Sequence, residues 1–489
     1  MNQLLLIRNP QSAIRNIIMR RLFFAPTTRL RAVVSFALAL ALCAAAARAA
    51  QDTPAEPQRE QLLNGLPILL AYRPGAPQVF IKLRLNSGAA FDLAGREGQM
   101  ALLGDVLFPD PSTREFVAEE LGGQLVVTTT YDYIDVTLAG RATEFERLAE
   151  LLRNAVVNTR IVADDVTRLR NERVAAARAA AASPAAVADR AAAARLFGSF
   201  PYGRLVNGTP ESLARLDYID LLRARDRFVT ADNARLVVIG GVEPARALRA
   251  FRQFLGAWRK SETLVPATFR QPAAPDARTL LVAHADATAA EVRLAARGFA
   301  RTERAHTAAA VVAALARRRW AAALGADAPA NLAARHDAYK LTGVFQLSAQ
   351  VRPAAAAAAL DAARATLKTL ATQAPTAAEL ADAKREAAVA LAGNPQPEAT
   401  LADNWLDAET YNTSTGEELR ALDALTPADV QAAAARLFAD AKLASVAVGP
   451  LTELRAALAQ SANGVEVAGA TAPTPTPTPT PTPLPARRP

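Results

Sequence analysis

Apolar and polar positions along this chain alternate with two periods. Residues 79–85 read VFIKLRL, in which aliphatic side chains recur at every second place, the period of a strand with one buried face. Short β-rich runs at 66–72, 125–130, 134–138 and 236–239 predict further strands. Between them lie longer stretches with apolar residues every three to four positions. These predict helices over 99–107, 113–121, 142–157, 163–182, 185–197 and 244–254. Gly122-Gly123 follows the second of these helices, where glycine commonly closes the last turn. Tyr131-Asp132 separates two strands as the turn of a hairpin. Strands grouped beside helices, without regular strand–helix–strand alternation, indicate an α+β layering.

The pattern also repeats. Residues 228–251, FVTADNARLVVIGGVEPARALRAF, are echoed by 437–458, LFADAKLASVAVGPLTELRAAL: helix end, turn, strand, glycine, helix. Two similar domains follow, 51–261 and 278–465, joined by the aperiodic, proline-rich linker 262–277. Residues 278–283 and 343–351 are strands of the second domain. The abundance of alanine in the helices reflects helix propensity and carries no further message.

With 489 residues, 51% hydrophobic and 21% charged, the composition is globular. The net charge of +9 would suit a nucleic-acid binder, but residues 1–50 hold seven arginines and no acid or lysine. The excess therefore sits in the leader, and no nucleic-acid partner is expected. Residues 1–50 read as a signal peptide: a basic segment, an apolar run over 32–42, then small residues suited to cleavage after Ala49 or Ala50. Met19 heads a complete leader by itself and is an alternative start. The apolar run is too short to span a bilayer, so no stable membrane insertion is expected and the location predicted is periplasmic. Cys43, the only cysteine, excludes an intramolecular disulfide. Leu42 fits poorly before a lipidated cysteine, which favours a plain export signal over a lipoprotein. Residues 466–489, rich in Thr-Pro, should form a disordered, solvated tail.

Ordered pieces of the body carry a resemblance. NGLPILLAYRPGAPQVFIKLRLNSGAAFD (64–92), GQMALLGDVLF (98–108), EELGGQLVVTTTYDYIDVTL (119–138), FPYGRLVNGTPESLARL (200–216) and ARLVVIGGVE (234–243) resemble, in order and spacing, the insulinase/pitrilysin (M16) peptidase family. TGVFQLSAQVRP (342–353) extends the likeness into the second half. The resemblance implies two similar M16-like (LuxS/mitochondrial-processing-peptidase-like) domains, each an antiparallel sheet packed with helices.

Family enzymes carry HxxEH on the first helix, two histidines one turn apart for zinc and a glutamate as general base. In this chain the histidine positions fall on Ala101 and Asp105 and the glutamate position on Gly104; the third ligand, a downstream glutamate, falls near Ala176. Alanine and glycine have no side-chain donor, so the resemblance implies a degenerate site without zinc. An Arg and a Tyr that family enzymes place near the metal fall at Ala323 and Ala330. The three histidines, 284, 306 and 336, form no HxxxH or HxH pair, and His336 reads as lying on a loop. Surface or structural roles are expected for all three. Asp105 with Glu97 could in principle offer oxygen ligands, but solvated charges are the simpler reading. Arg317, Arg318, Arg319 and Trp320 form a basic-aromatic cluster that either faces an acidic partner or is a solvated helix face with Trp320 in the core.

The expected function is a non-catalytic M16-like subunit, not a peptidase by itself, that forms one wall of a peptide-binding chamber. Its partner would be a zinc-bearing HxxEH subunit in a heterodimer, with zinc only in that partner. Gly122, Gly123, Gln124, Leu125, Val126 and Val127 are the candidate peptide-binding residues, because the family holds substrate along this strand. The alternatives are an active but divergent M16-type metallopeptidase and a stand-alone periplasmic peptide-binding or chaperone-like module.

Overall fold

The computed structural model describes residues 56–261, 269–270, 272–392 and 397–468. The expected signal peptide, Cys43, half of the predicted linker and nearly all of the Thr-Pro tail lie outside the described residues. Twelve described strands form two six-stranded sheets. The first contains β1 (Gln58–Gln61), β2 (Pro67–Tyr72), β3 (Gln78–Leu85), β4 (Gln124–Thr129), β5 (Ile134–Arg141) and β6 (Ala234–Gly240), in the spatial order β1-β2-β6-β3-β5-β4. The second contains β7 (Thr279–Ala283), β8 (Ala290–Gly298), β9 (Ala333–Ala338), β10 (Gly343–Val351), β11 (Ala444–Gly449) and β12 (Val465–Val467), in the order β12-β7-β11-β8-β10-β9.

The two sheets share one topology. β2 and β7 run parallel to the late strands β6 and β11, and every pairing from there to β4 and β9 is antiparallel. The halves differ at the opposite edge: β1 joins β2 antiparallel, whereas β12 joins β7 parallel. The echoed sequence segments are thus β6 with helix Pro244–Leu255 and β11 with helix Leu451–Leu458.

Each sheet buries its first face against helices of its own half. Ile81, Leu83 and Leu85 of β3 lie in a core with Leu102, Leu103, Phe145 and Phe251. The second core gathers Leu294, Phe345, Leu347, Trp320 and Leu367. The second face of each sheet is covered from the other half. Helix Pro397–Tyr411 lays Ala399, Ala402, Trp405 and Leu406 on Leu69, Phe80, Val237 and Ile239. In return, helix Pro184–Phe197 lays Ala188 and Ala192 on Val446 and Val448. That helix starts on Ser183, whose Oγ accepts the Ala186 N–H, with Pro184 in the first turn. Alanine on both covering helices lets the helix axis come close to the sheet.

This exchange explains why strand β3, read as half-buried, is buried on both faces. Lys82 pairs with Asp403 and, at 3.2 Å, with Asp135, while the fully buried Arg84 makes a two-pronged contact with Asp135 and a 2.7 Å bond to Asp407. The repeat preserves the device. Lys82 stands opposite Val237 and Arg293 opposite Val446, each three places before the glycine that ends its strand. Arg293 reaches Asp189 of the other covering helix at 2.7 Å.

His336 belongs to β9, opposite Phe345, and not to a loop. Its Nε2 accepts the Phe299 N–H at 3.1 Å. The ring fits because Gly298 and Gly343 have no side chain: a Cβ there would lie 2.5 and 2.9 Å from Nε2. Burial pushes its pKa down to about 3, so the ring stays neutral.

Candidate functional site

Helix Gln99–Val106, which carries the degenerate motif, is fixed at its start by a side chain from upstream. The Asp92 carboxylate accepts the N–H groups of Gly98 (2.7 Å) and Met100 (2.8 Å), satisfying donors that a helix leaves open. Burial pushes the Asp92 carboxyl up to about 7, against the pull of those two donors. Gly98 sits at φ 91°, and a Cβ there would lie 2.8 Å from Leu213. The NGTPES segment locks against this turn: Ser212 Oγ donates to Glu97 O at 2.8 Å, and a Cβ on Gly208 would lie 2.4 Å from the same oxygen.

Along the helix, Ala101 is fully buried and Gly104 faces β4, where a Cβ would meet Thr129 Oγ1 at 3.0 Å and Val127 Cγ1 at 3.2 Å. Asp105 points toward helix Ala163–Ala181 and meets Arg173. The Arg173 guanidinium binds both Asp105 oxygens (Nη2 to Oδ1, 2.9 Å), donates to Ala101 O at 3.0 Å and reaches Asn207 Oδ1 at 3.2 Å. Ala176, one turn further along the same helix, is exposed. Arg173 thus ties the helix of Ala176 to the helix of Ala101, Gly104 and Asp105, and the side chains at these four positions do not fit a zinc ion. Three offer no donor atom, and the carboxylate of the fourth is held by a cation that would repel a second one.

The suggested oxygen pair is not formed: Glu97 accepts the Gly95 N–H at 2.9 Å, and Asp105 is taken by Arg173. Among the described residues, no three His, Cys, Asp or Glu side chains gather as a metal site. His306 bonds Glu418 at 2.9 Å and Glu303 O at 2.7 Å. The arginine cluster is a helix-to-helix ion-pair ladder, with Arg317 on Glu386, Arg318 on Asp382 and Arg319 on Glu379 at 2.7 to 3.0 Å. Trp320 lies in the core and donates to Ala359 O.

Of the candidate peptide-binding residues, Gly122 and Gly123 form the turn into β4 and only Gln124 to Val127 lie on the strand. Gly122 takes φ 67°, and a Cβ on Gly123 would lie 1.9 Å from Ala139 O. β4 pairs with β5 alone, so its outer edge has no strand partner among the described residues. Leu125 points into the core while Val126 is 43% exposed.

Sequence reasoning missed Arg173 and a second residue, Asp132. Buried at the tip of the β4–β5 hairpin, Asp132 accepts from Tyr202 OH (2.7 Å), Tyr411 OH (3.0 Å) and Lys340 N (2.9 Å), joining both halves. Tyr131 and Tyr339 pack on Tyr202 around it. The signal available in the sequence was an acid between two tyrosines at a hairpin turn.

Residues 215–387 match the family described as Peptidase M16 inactive domain. Among solved structures, a peptidase M16 inactive domain from Pseudomonas fluorescens is 20% identical, covers 81% of this chain and 98% of its own, and superposes with a TM-score of 0.71. A protease from Helicobacter pylori is 16% identical, with 81% and 100% covered and a TM-score of 0.74. A chain from Complex III2 of Candida albicans is 17% identical, with 82% and 97% covered and a TM-score of 0.67. No curated protein sequence matches. No helix among the described residues is long and apolar enough to cross a membrane.

Proposed function

We propose that the chain is a degenerate member of the M16 peptidase family and works as the non-catalytic subunit of a two-chain periplasmic zinc peptidase. The single observation that carries this reading is the Arg173–Asp105 pair: an ion pair closes the place where the fold would otherwise hold metal and base. Zinc and the general base then belong to a partner with HxxEH. This chain contributes a wall of the peptide chamber, and the open edge of β4 from Gln124 to Val127 takes an extended peptide by backbone pairing, as an added strand. Kinship with a chain of a multi-subunit assembly supports a role in a complex.

The test is to express the full chain alone and together with an HxxEH family protein of the same organism. Metal analysis and cleavage of an unstructured peptide are then measured on each. The expected outcome is no stoichiometric zinc and no cleavage by the chain alone, with a stable complex in which the partner's turnover rises. Zinc and cleavage by the chain alone would establish the divergent metallopeptidase instead. Peptide binding by a self-sufficient monomer that ignores every HxxEH protein would establish the stand-alone module.

A further inference from the structure

Beside the Arg173–Asp105 pair lies a cavity of about 480 Å³, within the range that holds small ligands. Its apolar wall is built by Ala176, Ala177, Ala180 and Ala181 of one helix with Ala186 and Val187 of the next. Its charged groups are all of one sign: Arg173 and Arg190 line it, and no acid does. Asn207 also lines it, and because its Oδ1 accepts from Arg173, its amide nitrogen is left as a donor. An apolar wall with guanidinium and amide donors and no carboxylate selects an anionic head on a short aliphatic body.

We propose that this cavity binds an apolar carboxylate, and that its source is the C-terminal residue of a peptide. The aliphatic side chain lies among the alanines, and the α-carboxylate is held by Arg190 and the Arg173–Asn207 pair. The identification of the source as a peptide rests on the chamber reading above, whereas the carboxylate chemistry rests on the lining alone. Arg190 is exposed, so it is free of a folding role in the core.

The experiment is direct binding to the full chain, without partner, by calorimetry. Three probes are compared: acetyl-Ala-Ala-Leu as the free acid, the same peptide as its C-terminal amide, and octanoate. The free acid should bind at least about tenfold more tightly than the amide, the scale of one charge-assisted contact. Arg190→Gln should abolish that difference, and Ala180→Phe, which fills the cavity from an exposed wall position, should abolish binding of both peptides. Equal binding of acid and amide, or binding of neither, overturns the proposal. Tighter binding of octanoate than of the peptide acid overturns the peptide as source. None of these readouts involves cleavage or complex formation, so the cavity can fail while the subunit reading stands, and the reverse.

Discussion

Arg173 shows how one side chain can stand where a metal would be expected. The side chains of Arg173 and Asp105 are 21% and 28% exposed, so the pair is only partly shielded and a coupling of about 1 kcal/mol is expected between them. A double-mutant cycle of Arg173→Met and Asp105→Asn in urea unfolding measures it. Installing Ala101→His and Asp105→His while Arg173 remains should give no stoichiometric zinc by metal analysis; zinc at one per chain would show that the guanidinium does not keep the place closed. The loss of the motif was legible because alanine and glycine are chemically mute wherever they fold. Arg173 was not, since its meaning depends on a helix 68 positions away in the chain coming within reach of Asp105. His336 is another residue whose environment the sequence conceals. The unfolded chain takes up the imidazole proton near pH 6.5, while the native ring refuses it until about pH 3. Stability from this group is therefore complete above pH 6.5 and declines toward pH 3, by at most about 1.4 kcal/mol per unit. His336→Gln should flatten the fall in melting temperature between pH 6.5 and 5, and an unchanged slope would assign it to other groups.

Among the elements, the two covering helices do what the periodicity could not announce. Strands β2 to β6 and the helices predicted for the first half lie within three residues of their sequence-predicted spans, because their apolar faces meet partners nearby in the chain, whereas helix Tyr218–Phe228 was not predicted. β9 escaped because its six residues, AARHDA, show no alternation, β1 because its four residues are all polar, and β12 because three residues are too few to show a period. The polar face of β3 was legible as a face but not as a buried one, because its cover comes from Pro397–Tyr411. Leu406, fully buried on that helix, should lose about 2–5 kcal/mol on Leu406→Ala in denaturant unfolding, as for other large core truncations. A change below 0.5 kcal/mol would mean the helix is loosely seated.

At the scale of the whole molecule, the halves are joined by buried charge as well as by exchanged helices. Arg84 meets Asp407, Asp407 meets Arg301 at 3.0 Å, and Arg301 meets Glu418, which also holds His306. Burial disfavours the Glu418 charge, yet His306 and Arg301 hold its pKa down to about 2. Asp132 closes the same seam through Tyr202 and Tyr411. Asp132→Ala leaves two buried hydroxyls without an acceptor and should cost about 3 kcal/mol. Hydrogen exchange should then reveal faster opening along the seam, at Tyr202 and Lys340, than in the core of either sheet; uniform acceleration would mean that Asp132 supports the fold as a whole. The exchange of helices has one further consequence, in time. When synthesis has passed β6, the first sheet still exposes Leu69, Phe80, Val237 and Ile239 to water, and it remains so until Tyr411 has followed. A nascent chain of this kind ripens late: its first half must be shielded from its neighbours on other ribosomes until nearly the last residues of the body arrive.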